Sequence, residues 1–97
     1  MQGNNGTSIT SLSGYLKQNT PNPASNTTVI SYYLPDNITH AQIKVTDMKG
    51  SVLKVYSAAA GAGQVNIRSG ELPTGVYNYT LYANSKKLDT KQMVIIK

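Results

Sequence analysis

Short apolar–polar alternations, cut at close intervals by proline, glycine and asparagine, constrain this chain more than any other feature. In residues 28–34, Ile30, Tyr32 and Leu34 share one face, with Val29 and Tyr33 on the other. In residues 41–47, Ala41, Ile43 and Val45 alternate with Gln42, Lys44 and Thr46. The pattern returns over residues 52–56, over residues 64–68 with Val65 and Ile67, and over residues 76–83 with Tyr77, Tyr79 and Leu81. It ends in residues 87–96, which finish on Met93-Val94-Ile95-Ile96. A two-residue period belongs to a strand with one buried face. No stretch carries a convincing helical period.

The breaks are turn chemistry. Pro21-Asn22-Pro23 cannot lie inside a sheet. Pro35-Asp36-Asn37 reads as a turn. Asp47-Met48-Lys49-Gly50 reads as a hairpin turn, with Gly50 free to take positive φ. Residues 57–63, Ser-Ala-Ala-Ala-Gly-Ala-Gly, read as a flexible loop of small residues. Counting the short stretch that opens at Tyr15-Leu16, about seven strands alternate with turns spaced about 8–12 residues apart. The expected fold is all-β, an immunoglobulin-like antiparallel β-sandwich of about seven strands, with a closed barrel as the second choice. Gly75-Val76-Tyr77 at a strand start fits the tyrosine corner of such folds, where the hydroxyl bonds back to backbone a few residues upstream. Tyr79 then faces the core where antibody domains carry a cysteine.

Length and composition sharpen this. A chain of 97 residues holds one domain. It has no Cys, so neither a disulfide nor a thiolate metal site is open to it. Residues 1–14 read as a flexible linker or an expression-derived segment, and residues 15–97 as the folded domain. No signal-peptide pattern and no run of about 18 apolar residues is present, so no membrane span is expected.

Chemistry-bearing residues are sparse. His40 is the sole histidine, and the acids are Asp36, Asp47, Glu71 and Asp89. A lone histidine beside a turn reads as solvated surface, and a metal needs several converging donors. Three of the acids lie beside proline or glycine turns, where carboxylates shape the chain. Gly61-Ala62-Gly63 lacks the phosphate-loop spacing. No catalytic residue, metal ligand or cofactor is expected. The net charge is +5, but the lysines, at 17, 44, 49, 54, 86, 87, 91 and 97, are scattered across the proposed strands. They read as solubilising, edge-guarding charge and not as a nucleic-acid surface. Asn-X-Ser/Thr triplets occur at Asn5, Asn26, Asn37 and Asn78, as expected by chance in so Asn/Thr-rich a chain.

Four segments, in order, carry a family resemblance. They are Leu16-Lys17-Gln18-Asn19-Thr20-Pro21-Asn22-Pro23 with Thr27-Thr28-Val29-Ile30-Ser31-Tyr32; Val45-Thr46-Asp47-Met48-Lys49-Gly50-Ser51-Val52-Leu53; Leu72-Pro73-Thr74-Gly75-Val76-Tyr77-Asn78-Tyr79; and Lys91-Gln92-Met93-Val94-Ile95-Ile96-Lys97. Together they resemble the type A C-terminal sorting domain of the type IX (Por) secretion system of Bacteroidetes, over about residues 15–97. The motif positions are Pro21, Asn22, Pro23, Asp47, Gly50, Leu72, Pro73, Gly75 and Tyr77. Ala24 departs from the family, which often carries an aromatic residue there; this implies one weaker packing contact.

The resemblance implies a non-catalytic tail on an N-terminal cargo domain. Such a tail folds in the periplasm, engages the outer-membrane translocon and its shuttle proteins, and is cut away by a cell-surface sortase. The product is then secreted or held at the cell surface. Residues 1–14 would hold or adjoin the cut. The terminal strand would be the recognition element, through Lys86, Lys87, Lys91, Met93, Val94, Ile95, Ile96 and Lys97, by edge addition of a strand or together with the folded surface around residues 72–77. The alternative from another class is a carbohydrate-binding or adhesive β-sandwich module of a secreted protein, with Tyr32 or Tyr33, Tyr56 and Tyr82 as a strip for stacking sugars.

Overall fold

The computed structural model describes residues 14–38 and 40–96. These form seven strands: β1 (Tyr15–Leu16), β2 (Thr27–Leu34), β3 (Ala41–Thr46), β4 (Val52–Ala58), β5 (Gly61–Arg68), β6 (Gly75–Ala83) and β7 (Lys86–Ile95). A single 3₁₀ turn, Ser69–Glu71, links β5 to β6. The strands make two antiparallel sheets, ordered β1-β2-β5 and β4-β3-β6-β7. The chain is the β-sandwich that its alternation predicts.

The inner faces follow the two-residue period. Ile30, Tyr32, Leu34, Val65 and Ile67 from one sheet meet Ile43, Val45, Tyr77, Tyr79 and Leu81 from the other, all buried. Leu16, Leu72, Met93 and Ile95 complete this core. Gly14 is already buried; the rest of the proposed linker, residues 1–13, lies outside the described residues, as does Asn5.

The reading of residues 57–63 as a loop is corrected. β4 runs to Ala58 and β5 starts at Gly61, so the link is only two residues long. Gly61, Ala62 and Gly63 pair with Leu34, Tyr33 and Tyr32. The physical reason is close approach: a β-carbon on Gly63 would overlap the Tyr32 ring. Small residues here make room for an aromatic neighbour, which is one of the few reasons a strand interior takes glycine. The Tyr32 hydroxyl in turn accepts the Ala59 N–H at 3.2 Å.

Turn chemistry is as local as it looks in the sequence. The Asp47 carboxylate accepts the N–H groups of Lys49 (2.9 Å) and Ser51 (3.0 Å), and Gly50 has φ 94°. Asn84 and Ser85 take φ 50° and 70°, the left-handed geometry of a tight hairpin. The tyrosine corner is present: Tyr77 is buried and its hydroxyl donates to the Pro73 carbonyl at 2.5 Å. Tyr77→Phe is therefore expected to cost about 1 kcal/mol in urea denaturation. An unchanged midpoint would mean that the bond contributes nothing.

Candidate functional site

The four motif segments are scattered along the chain, and folding gathers them. β6 starts where β7 ends, since Gly75 pairs with Ile95 and Val76 with Val94. Thr46 pairs with Asn78, so the turn at residues 47–50 projects from the same end. β2 starts and β5 finishes there too, with Thr27 opposite Arg68. Residues 72–75 enter β6 at that point. Pro21, Asn22, Pro23, Asp47, Gly50, Leu72, Pro73, Gly75 and Tyr77 thus lie at one end of the sandwich, with the finish of β7. The opposite end carries the loop before β3, with exposed His40, and the Asn84-Ser85 hairpin.

The segment from Lys17 to Ala24 joins the motif end to the rest of the domain. Its anchor is the Tyr79 hydroxyl, fully buried, which donates to the Lys17 carbonyl at 2.8 Å and accepts the Asn19 N–H at 2.8 Å. Burial pushes the Tyr79 hydroxyl up to about 12; the Asn19 N–H opposes that shift and the Asp89 charge adds to it. The Asn19 amide donates to Thr28 Oγ1 (2.9 Å) and to the Pro21 carbonyl (3.2 Å), and Thr28 Oγ1 donates to the same carbonyl at 2.8 Å. Asn19 and Thr28 are both buried, so each polar group has a partner, as a stable core requires.

This segment then closes the outer edge of β7. Gln18 Nε2 donates to the Gln92 carbonyl at 2.6 Å. Asn22 Oδ1 accepts the Val94 N–H at 2.9 Å. Ala24 N–H donates to the Val94 carbonyl (2.8 Å), and its carbonyl accepts the Ile96 N–H (2.9 Å), a short parallel bridge. Further along, the Asp89 carboxylate accepts the N–H of Leu16 (2.8 Å) and of Thr90 (2.9 Å). Of the outward backbone groups that strand addition on residues 92–96 would need, the Gln92 and Val94 carbonyls and the Val94 and Ile96 N–H groups are therefore occupied. Asn22 of the Pro21-Asn22-Pro23 motif covers them together with the flanking Gln18 and Ala24. Ala24 is fully buried at this junction and bonds through its backbone, which the departure from the family's aromatic does not disturb.

The terminal recognition residues separate into three groups. Met93 and Ile95 are fully buried and face the core, so a partner of the folded domain cannot touch their side chains. Val94, half-buried, and Ile96, exposed, stand at the motif end; Lys91 is half-buried beside Tyr79. Lys86 and Lys87 are exposed at the other end of β7, about 30 Å away at the usual rise per residue. Lys97 lies outside the described residues. Reading single residues missed Gln18, Asn19, Thr28 and the Tyr79 hydroxyl. Their signal is weak: a buried asparagine looks like a loop asparagine until its partners are known.

The four tyrosines considered for sugar stacking do not form one strip. Tyr32 is buried. Tyr33 stacks on Tyr15, centroids 5.6 Å apart, outside the three-stranded sheet. Tyr82 lies under Lys44 on the outside of the other sheet, with Nζ 4.8 Å from the ring centroid. Tyr56 pairs with Ile43 on the inner side, and its hydroxyl donates to Glu71 at 3.4 Å. Burial, then the Glu71 charge and bond, push the Tyr56 hydroxyl up. Among the described residues no three His, Cys, Asp or Glu side chains gather as a metal site, and no helix is long and apolar enough to cross a membrane.

Comparison with known proteins adds one positive result. A family model described as "Secretion system C-terminal sorting domain" matches residues 20–97. No curated protein matches the chain.

Proposed function

The chain belongs to the family of C-terminal sorting domains of the type IX secretion system, and from that premise we propose that it is the non-catalytic export signal of a cargo protein attached at its N-terminal side. Membership makes the domain a sorting signal, and implies a cargo, contact with the type IX machinery, and delivery to the cell surface or the medium. In our reading the cargo folds in the periplasm, the outer-membrane translocon and its shuttle proteins engage the folded domain, and a cell-surface sortase cuts within or beside residues 1–14.

The observation that supports this reading best is the convergence of the family's motif segments on one end of the sandwich, around residues 94–96. Recognition there would read Val94 and Ile96 together with the Pro21-Asn22-Pro23 turn. Met93 and Ile95 would serve by holding the strand in place. Lys86 and Lys87 would be a separate contact at the far end.

A reporter fused ahead of residues 1–97 is expected to reach the surface of a type IX-competent bacterium. The same fusion with a short polar tag after Lys97 is expected to stay in the periplasm, folded and protease-resistant. Equal export of both would show that the machinery does not read this end. If neither is exported while both are folded, the sorting reading fails and a sugar-binding module becomes the better one.

A further inference from the structure

The outer face of the three-stranded sheet carries chemistry that neither the fold nor the sorting reading uses. By strand parity Val29, Ser31 and Tyr33 of β2 point outward, beside Asn66, Gln64 and Ala62 of β5. β1 adds Tyr15 opposite Tyr33. Lys17 follows, its N–H bonded to the Ser31 carbonyl at 2.9 Å. Tyr15 is 47% exposed, and its ring is the one stacked on Tyr33. On its other side Tyr33 has only Ala62, too small to cover an aromatic ring. The result is a groove of about 370 Å³ that runs past the two rings to Lys17, Ser31 and Gln64.

Cross-strand stacking accounts for the ring pair. It does not account for the polar groups gathered beside it. Among the described residues no hydrogen bond engages the side chains of Lys17, Ser31 or Gln64, so their donors and acceptors are open to a ligand. The groove holds a single charge, Lys17, so charge does not choose the ligand. Apolar anchoring does not choose a protein either. Among the described residues the exposed large aliphatic side chains are Met48, Val52, Leu53, Val55, Val76 and Ile96, and all belong to the other sheet, its turn or its end.

We propose that this groove binds a glycan, a short stretch of a neutral sugar chain. The carbon–hydrogen face of a pyranose lies on the Tyr15 and Tyr33 rings. Its hydroxyls both donate and accept, and they bond to the Gln64 amide, the Ser31 hydroxyl and the Lys17 ammonium. An apolar wall with a few converging polar groups is the usual make-up of a small-ligand site, and the volume falls in the usual range. Asn66, about 7 Å further along the same face of β5, continues the polar row for the next sugar unit. This is not the four-tyrosine strip rejected above, since only Tyr33 of those takes part. The groove lies toward the end of the sandwich away from the motif segments, and the inference stands apart from the sorting reading.

The test titrates the isotope-labelled chain of 97 residues with cellohexaose, laminarihexaose and mannohexaose, each at about 5 mM, enough to load most of a millimolar site. Amide shifts are expected at Ser31, Tyr33 and Gln64 with at least one of the three. Tyr15→Ala and Gln64→Ala are each expected to weaken that binding about fivefold or more. Gln42→Ala removes an equal amide from the other sheet and is expected to bind as the parent does. Gln64 and Gln42 are both exposed, so the melts of these two variants are expected to match the parent. No shifts with any of the three sugars, shifts confined to the other sheet, or Gln64→Ala binding equal to the parent would each overturn the proposal. Export of the reporter fusion is expected to be the same for Gln64→Ala as for the parent. Loss of that export with the fold intact would make this face a contact of the secretion machinery, and would overturn the proposal as well.

Discussion

Ile95→Ala is expected to lower the unfolding free energy by about 2–5 kcal/mol, while Ile96→Ala, one residue on, is expected to change it by about 0.5 kcal/mol or less. Ile95 is 0% exposed and pairs with Gly75 at the mouth of the core; Ile96 is 42% exposed. Truncating Ile95 removes buried methylenes and leaves a cavity between β7, Ala24 and the start of β6. Truncating Ile96 removes atoms that already face water, and its N–H bond to Ala24 survives because it is made by backbone. Urea midpoints of the two variants check this directly. Equal losses would place β7 one residue out of register, since a slip of one residue exchanges the two faces of a strand. The pair also separates folding from recognition: Ile96 can be changed in an export assay without unfolding the signal, and Ile95 cannot.

Tyr79→Phe is expected to cost about 1–3 kcal/mol, more than Tyr77→Phe, because it leaves two backbone groups without partners, one of them buried. The Lys17 carbonyl loses its donor and the Asn19 N–H loses its acceptor. The loosened part is the segment that closes the β7 edge, so hydrogen exchange is expected to quicken at Asn19, Ala24, Val94 and Ile96 before the rest of the sheet. A pH signature accompanies this. The Tyr79 hydroxyl is raised from 10.0 to about 12, chiefly by burial. In that window the unfolded chain loses the proton and the folded one keeps it. The stabilisation is complete below pH 10 and is lost as pH rises toward 12. Tyr79→Phe is expected to lose less stability than the parent over the same range. Tyr56, also raised, is present in both proteins and cancels in the comparison. Parallel pH profiles for parent and variant would show that the hydroxyl is not held as described.

Strand faces were legible in the sequence because they are a local property. A residue's side is fixed by its parity, so Ile30, Tyr32 and Leu34, or Tyr77, Tyr79 and Leu81, could be assigned inward before any partner was known. Turn identity was legible for the same reason: Asp47 bonds groups two and four residues ahead. The loop reading of residues 57–63 failed because small residues say little by themselves. What makes Gly63 a strand residue is the ring of Tyr32, contributed by a different strand.

The candidate site divides along the same line. The motif residues and the family they indicate came from order and spacing along the chain, and the match over residues 20–97 agrees. The sequence by itself thus determined the fold class, the inward faces, the turns and the family. Only the tertiary structure decided that Asn22 meets Val94 and Gln18 meets Gln92, and so that the outer edge of β7 is covered by the segment before β2. These partners are 72 and 74 residues apart. Alternation states which side a strand buries, but it carries no label for the neighbour across its edge. That choice is made when both sheets pack at once and every buried N–H and carbonyl must find a partner.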